Sequence, residues 1–168
     1  ISGILPARTK YSFKIEKEIL GNKILTWYKT QGRTVKFTFP RKLILNDKFF
    51  IGFGLSIGDG LNNPSLKNTH YNFGNSNFYL VKIISDWLEE FFGISYNKLQ
   101  IFLYTKASNK NVKNSIIEVE KLFNLKSTKL RIYFSERHCK DVLMIQTSNA
   151  IFQLIYSKLF HYLKQMII

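Results

Sequence analysis

Ile51-Gly52-Phe53-Gly54-Leu55-Ser56-Ile57-Gly58-Asp59-Gly60 is the stretch on which the reading of this chain turns. Ile51, Gly54, Leu55 and Gly58 recur at i, i+3, i+4 and i+7, one stripe of an α-helix. Two of the four are glycine, which costs about 1 kcal/mol relative to alanine inside a helix. The usual compensation is the close approach of another backbone. The helix ends on Asp59, where the macrodipole is negative and disfavours a carboxylate by about a few tenths of a kcal/mol or more. Both losses together point to a segment kept for function.

Upstream, residues 1–46 read as β. Tyr11, Phe13 and Ile15 alternate with Ser12, Lys14 and Glu16. Gly21-Asn22 marks a turn before the β-rich run Ile24 to Tyr28. Val35, Phe37 and Phe39 then alternate with Lys36 and Thr38 up to Pro40. This segment holds ten Lys/Arg and two Glu, so +8 of the chain's +14 lies in about a quarter of its 168 residues. Two readings are open for it: a basic ribbon that grips DNA, and a small sheet packed on the main domain with a solvated lysine face.

Downstream, Asn46 or Asp47 can cap the glycine helix. Asn62-Asn63-Pro64 is a turn, and a short hairpin is expected from Leu66 to Phe73. Asn75 or Ser76 caps a helix whose face is Leu80, Ile83, Ile84, Trp87, Leu88 and Phe91, stopped by Gly93. Lys98 to Thr105 is a strand. Ser108-Asn109 opens a helix carrying Val112, Ile116, Val119 and Phe123. Strands over Lys129–Ser135 and Val142–Thr147 follow, joined by the polar loop Glu136–Asp141. Ser148 or Asn149 caps a last helix with Ile151, Leu154, Ile155, Leu159, Tyr162, Leu163 and Met166 inward. The order is a β arm followed by α-ββ-α-β-α-ββ-α. The class is α+β, divided into a basic β-rich N-terminal extension over 1–46 and an α/β domain over 47–168.

The stretch from Gly52 to Gly60 resembles the nine-letter signature of the LAGLIDADG homing endonucleases. Gly54 matches its first glycine, Leu55 its second leucine and Asp59-Gly60 its final Asp-Gly. Gly58 stands where alanine or glycine is usual. Gly52 and Phe53 replace the opening Leu-Ala, and Ser56 and Ile57 replace the central Ile-Asp. The segment Val142 to Asn149, followed by a helix, looks like the closing strand and helix of compact archaeal members. The resemblance covers roughly residues 46–168. It implies a curved antiparallel sheet backed by helices, with the helix over 109–123 as an addition.

One motif copy implies a homodimer. In this family two motif helices pack together and their terminal acidic residues meet between two active sites. Ile51, Gly54, Leu55 and Gly58 are then the dimer-interface candidates. The resemblance implies that Asp59 and the backbone carbonyl of Gly58 bind Mg²⁺ or another divalent cation for phosphodiester hydrolysis. It implies double-stranded DNA with a pseudo-palindromic site as the partner. Alternation puts Lys129, Arg131, Tyr133 and Ser135 on one strand face, towards DNA, and Leu130, Ile132 and Phe134 towards the helices. Lys67, His70 and Asn72, in the hairpin after the motif, are further DNA-binding candidates. Arg137, His138 and Lys140 in the late loop are candidates for phosphate contacts, and Gln146 on the last strand for DNA.

Active members often carry a lysine on the strand entering the last helix. That strand here has Met144 and Gln146 instead, so Arg131, on the neighbouring strand, or Lys129 is the candidate for the basic catalytic role. The departure leaves open an alternative: a DNA- or RNA-binding regulator or splicing cofactor that does not cut.

The rest of the sequence narrows the field. It has no phosphate-cradling loop with its lysine and no Cys/His ligand cluster. His70, His138 and His161 are scattered, and His161 and the two tryptophans, Trp27 and Trp87, read as packing residues. A single cysteine, Cys139, excludes a disulfide framework. No apolar run approaches the ~18 residues of a membrane span. The expected setting is cytoplasmic and nucleoid-associated, away from membranes.

Overall fold

The computed structural model describes residues 1, 3–9, 13–58, 70–125, 129–137 and 139–167. The glycine stretch forms a helix, α1 (Asp47–Gly58). Asn46 caps it, its Oδ1 accepting the N–H of Phe49 at 2.9 Å. The buried side of α1 is Phe49, Gly52, Phe53 and Ser56.

Three strands precede it: β1 (Glu16–Leu20), β2 (Lys23–Lys29) and β3 (Thr34–Pro40). They form an antiparallel sheet in the order β1-β2-β3. Gly21, at φ +60°, takes the left-handed turn position between β1 and β2. Ile24, Thr26 and Phe39 are buried on the inner face. Phe39 joins the main core, together with Ile15 just before β1. The N-terminal segment is therefore a sheet packed on the rest of the chain. Tyr11 lies outside the described residues.

The remaining elements are β4 (Tyr71–Asn75), α2 (Phe78–Phe92), β5 (Gln100–Thr105), α3 (Val112–Phe123), β6 (Leu130–Phe134), β7 (Val142–Thr147) and α4 (Ala150–Ile167). Helix α2 is central and touches α1, α3, β3, β4 and β7. Asn77, rather than Asn75 or Ser76, is its N-cap, accepting the N–H of Tyr79. Asn75 instead accepts the N–H of Asn77 at 2.7 Å. Gly93 ends α2 at φ +67°, donating to the carbonyl of Glu89. Ile84, Trp87, Leu88 and Phe91 are buried as expected, but Ile83 is exposed.

The second sheet corrects the expected antiparallel arrangement. Its strand order is β4-β7-β5-β6, and β5 pairs with β6 in parallel. Parallel neighbours need a crossover connection, usually a helix. Helix α3 supplies it, so it is part of the sheet's topology and not an addition. β7 inserts between β4 and β5, antiparallel to both. Consequently β6 and β7, adjacent in sequence, are not adjacent in the sheet. The class is α+β, with helices against a mixed sheet. The partner strand of the expected Leu66–Phe73 hairpin lies outside the described residues, and β4 pairs with β7.

Asn149 caps α4, its Oδ1 accepting the N–H of Phe152 at 2.9 Å. Ile151, Leu154, Ile155, Leu159 and Leu163 are buried, whereas Tyr162 is exposed. The side chain of Met166 is outside the described set. On β6, Leu130 is buried but Ile132 is half-exposed and Phe134 is 65% exposed. Their strand is the sheet's edge, and the helix layer covers only its start.

The glycines of α1 are not equivalent. A Cβ on Gly52 would lie 2.2 Å from Cδ1 of Trp87, while Gly54 and Gly58 have nothing within 4 Å. Gly52→Ala should lower unfolding stability by about 1–3 kcal/mol, the range for overpacking. Gly54→Ala, at an open helix position, should raise the stability of the isolated chain by up to about 1 kcal/mol. Urea unfolding of both variants under conditions that keep the chain monomeric checks the contrast.

Candidate nucleic-acid interface

The four strands of the second sheet present one face to the core and one away from it. Tyr71, Phe73, Leu143, Ile145, Ile101 and Leu103 belong to the core. The alternate positions form rows across the opposite face. Asn72, Gln146 and Gln100 make one row. Gly74, Met144, Phe102 and Arg131 make the next, and Val142, Tyr104 and Tyr133 a third. None of these apolar side chains belongs to the main core or packs against it.

The basic edge of this face is an aromatic cluster. Arg131 lies 5.8 Å over the ring of Phe102. Tyr104 and Tyr133 stack at 5.5 Å. Phe102 is buried on this side, with Tyr133 beside it at 5.7 Å. Burial and the neighbouring Tyr133 raise the pKa of Tyr104, so its hydroxyl stays a protonated donor at neutral pH. The guanidinium of Arg131, exposed and set over a ring, has the chemistry to pair with a base or phosphate.

At the other edge, His70 Nδ1 and Ser148 Oγ are 3.1 Å apart. Asn72 Oδ1 is buried without a partner among the described residues. Near this edge α1 is tied to the sheet. Ser56 Oγ lies 2.6 Å from the Tyr71 hydroxyl and 2.8 Å from that of Tyr156. Burial pushes the Tyr156 hydroxyl up to about 12, and Tyr71 is also raised well above its ordinary value by burial. The trio is a neutral hydrogen-bonded lock, not an acid–base pair.

The lock fixes the outward side of α1. Ile51 is 61% exposed, Gly54 and Gly58 are exposed, and Leu55 is half-buried against the core. Phe50, Ile44 and Leu45 add exposed apolar surface along and just before the helix. Gly58 is the last residue of α1, and terminal helix carbonyls have no intrahelical partner. Asp59, Gly60 and Lys67 lie outside the described residues, as does His138. Among the described residues no group of three His, Cys, Asp or Glu could hold a metal.

Two proposed catalytic candidates stand apart from this edge. Lys129 donates to Asn97 Oδ1 at 2.7 Å. Arg131 is on β6, three strand spacings from β4, or roughly 14 Å. It is also not on the strand next to β7, as the sequence reading had it; β5 intervenes. Tyr133 shares its face, while Ser135 lies just beyond the strand, accepting the N–H of Arg137. Arg137 and Lys140 are exposed in the loop before β7.

That loop is anchored by Asp141. Its carboxylate accepts from Thr105 Oγ1 at 2.7 Å, Asn109 Nδ2 at 2.8 Å and Ser115 Oγ at 2.6 Å. Burial alone would raise its pKa, but the bonds from Ser115, Thr105 and Asn109 outweigh that and hold it below the ordinary value. Beside it, a cleft of about 690 Å³ is lined by Lys106, Glu118, Cys139 and Lys140, among others.

Sequence reasoning missed Gln100, Phe102 and Tyr104, although their alternation with Ile101, Leu103 and Thr105 was there to read. It also missed Ser56, a buried hydroxyl with no periodicity to betray its partners. No family model, curated protein or solved structure matches this chain in the comparisons made. No helix among the described residues is long and apolar enough to cross a membrane.

Ser56→Ala should destabilise the chain by about 1–3 kcal/mol, because two buried hydroxyls lose a shared partner; denaturant midpoints measure it. Asp141 has a lowered folded pKa, so its contribution is present above the unfolded value near about 4 and lost as pH falls through the folded one. Thermal melts of wild type and Asp141→Asn should therefore differ most at neutral pH and converge in acid.

Proposed function

We propose that this chain is the subunit of a homodimeric, divalent-metal-dependent endonuclease of the LAGLIDADG type, acting on double-stranded DNA. The observation that carries the reading is the outward stripe of α1. Ile51, Gly54 and Gly58 face solvent, with open space over both glycines. Such a stripe fits the backbone of an identical helix crossing it on a two-fold axis. Such an axis would set the C-termini of two α1 helices side by side and bring together the Asp59 that follows each in the sequence. Adjacent carboxylates repel unless a cation lies between them.

The donor set suits such a cation. A carboxylate and a helix-terminal carbonyl are hard oxygens of the kind Mg²⁺ takes. Asp59 and the Gly58 carbonyl would hold it, and it would supply an activated water and a stabilised leaving oxygen. The chain's own contribution is position: Ser56, bonded to Tyr71 and Tyr156, fixes the end of α1 against the sheet.

The open face of the second sheet is the proposed DNA surface. Arg131 can pair with guanine O6 and N7. Asn72, Gln100, Gln146, His70 and Tyr133 offer donors and acceptors on the same side. Arg137 and Lys140 suit phosphate contacts, and a net charge of +14 draws the duplex in.

One observation favours a second reading, a DNA- or RNA-binding protein without cleavage. The open-face positions of β7 are Val142, Met144 and Gln146, with no lysine. The basic candidates for the catalytic role, Lys129 and Arg131, lie just before and on the far edge strand.

A cleavage selection separates the two. Purified protein is given a plasmid library of randomised pseudo-palindromic sites, with Mg²⁺ or EDTA, beside Asp59→Asn. The nuclease reading expects recurrent Mg²⁺-dependent cuts that the variant does not make. Sequence-specific enrichment without cuts, equal in both proteins, would establish the binding reading instead.

A further inference from the structure

Trp27 does not lie in the core, as its sequence reading had it. β2 buries Ile24 and Thr26 completely, and its alternate residues Lys23, Leu25, Trp27 and Lys29 face outward. Trp27 is partly exposed, and its indole enters no ring pair or hydrogen bond among the described residues. Cross-strand pairing sets Trp27 between Glu16 and Lys36, and Lys29 opposite Thr34. A groove of about 310 Å³ runs beside the indole, walled by Glu18, Leu25, Lys29, Thr34 and Lys36.

The charges around it are unequal. Glu16 is paired with Lys14 at 2.9 Å. Lys23, Lys29 and Lys36 have no acidic partner among the described residues. An indole set beside free ammonium groups on an open strand face is the arrangement of a base-stacking platform. Every base has a π-face for the indole, and every nucleotide a phosphate for the lysines.

We propose that the outer face of β1-β2-β3 binds an unpaired strand of DNA, with a base stacked on Trp27 and flanking phosphates on Lys29 and Lys36. Glu18 and Thr34 add polar groups at the groove's walls that suit a base edge. The choice of DNA over RNA rests on the DNA reading of the other sheet; the groove itself does not. This surface is separate from that face, because the two sheets share no strand. A compact acidic peptide would satisfy the lysines but leave the indole without a planar partner.

The test is anisotropy of a labelled thymidine oligomer, with tryptophan emission followed in parallel. Trp87 is buried and serves as the internal reference. The oligomer should quench wild-type emission saturably. Trp27→Ala should weaken binding about 5- to 150-fold, the range of base–aromatic stacking, and Trp27→Phe should keep most of it. Lys29→Gln with Lys36→Gln should flatten the salt slope by about 1.4 units. Lys121→Gln, on the exposed side of α3, should leave all of this unchanged, and duplex binding measured on the same variants keeps a failure of the duplex-binding reading distinct. Unaltered affinity in Trp27→Ala overturns the proposal, as does equal competition by polyglutamate. Tighter binding of a uridine oligomer overturns the assignment to DNA. If Trp27→Ala does not fold, unquenched wild-type emission at saturating oligomer overturns it.

Discussion

The contact between Gly52 and Trp87 sets the orientation on which the rest depends. The indole lies where a Cβ on residue 52 would be, and its N–H donates to the carbonyl of Phe49 at 3.0 Å. Phe49 itself sits among Phe53, Phe91, Phe92 and Trp87. One turn on, Ser56 bonds to the sheet and to α4 through two tyrosines. Phe49, Gly52, Phe53 and Ser56 thus form one stripe at i, i+3, i+4 and i+7, seated on α2 and the sheet. The parallel stripe of Ile51, Gly54 and Gly58 is turned outward as a direct consequence.

The same logic of two faces recurs in both sheets. The mixed sheet gives its aliphatic face to the helices and keeps an arginine, three rings and three amides on the other. The N-terminal sheet buries Ile24 and Phe39 and turns Trp27 and its lysines out. The buried apolar residues of both sheets lie on the opposite faces, so packing among the described residues does not account for the side chains these faces carry. An excess of fourteen positive charges makes a polyanion the occupant we propose for such faces.

Much of this was legible in the sequence, and the failures have physical reasons. Helix α2 was readable because its stripe is continuous and Gly93 provides the left-handed stop. Asn149 was readable as a cap for the same kind of local reason. Strand pairing was not: alternation says which residues share a face but nothing about the neighbour. The parallel β5–β6 pair was implied only by the intervening α3, and its topology decided where Arg131 went. Helix α1 carries two stripes at identical spacing, so periodicity located the helix but not its buried side. Trp27 looked like a core residue because hydrophobicity cannot register that its strand neighbours on that face are lysines.

The central claim is that α1's outward stripe is the seat of a second copy of the chain. Sedimentation equilibrium measures this most directly, on wild type and on Gly54→Leu, whose Cβ would have nothing within 4 Å among the described residues. The account predicts twice the chain mass for wild type and a folded monomer for the variant. A wild-type monomer, with and without duplex DNA, would contradict it, as would a Gly54→Leu dimer as tight as wild type.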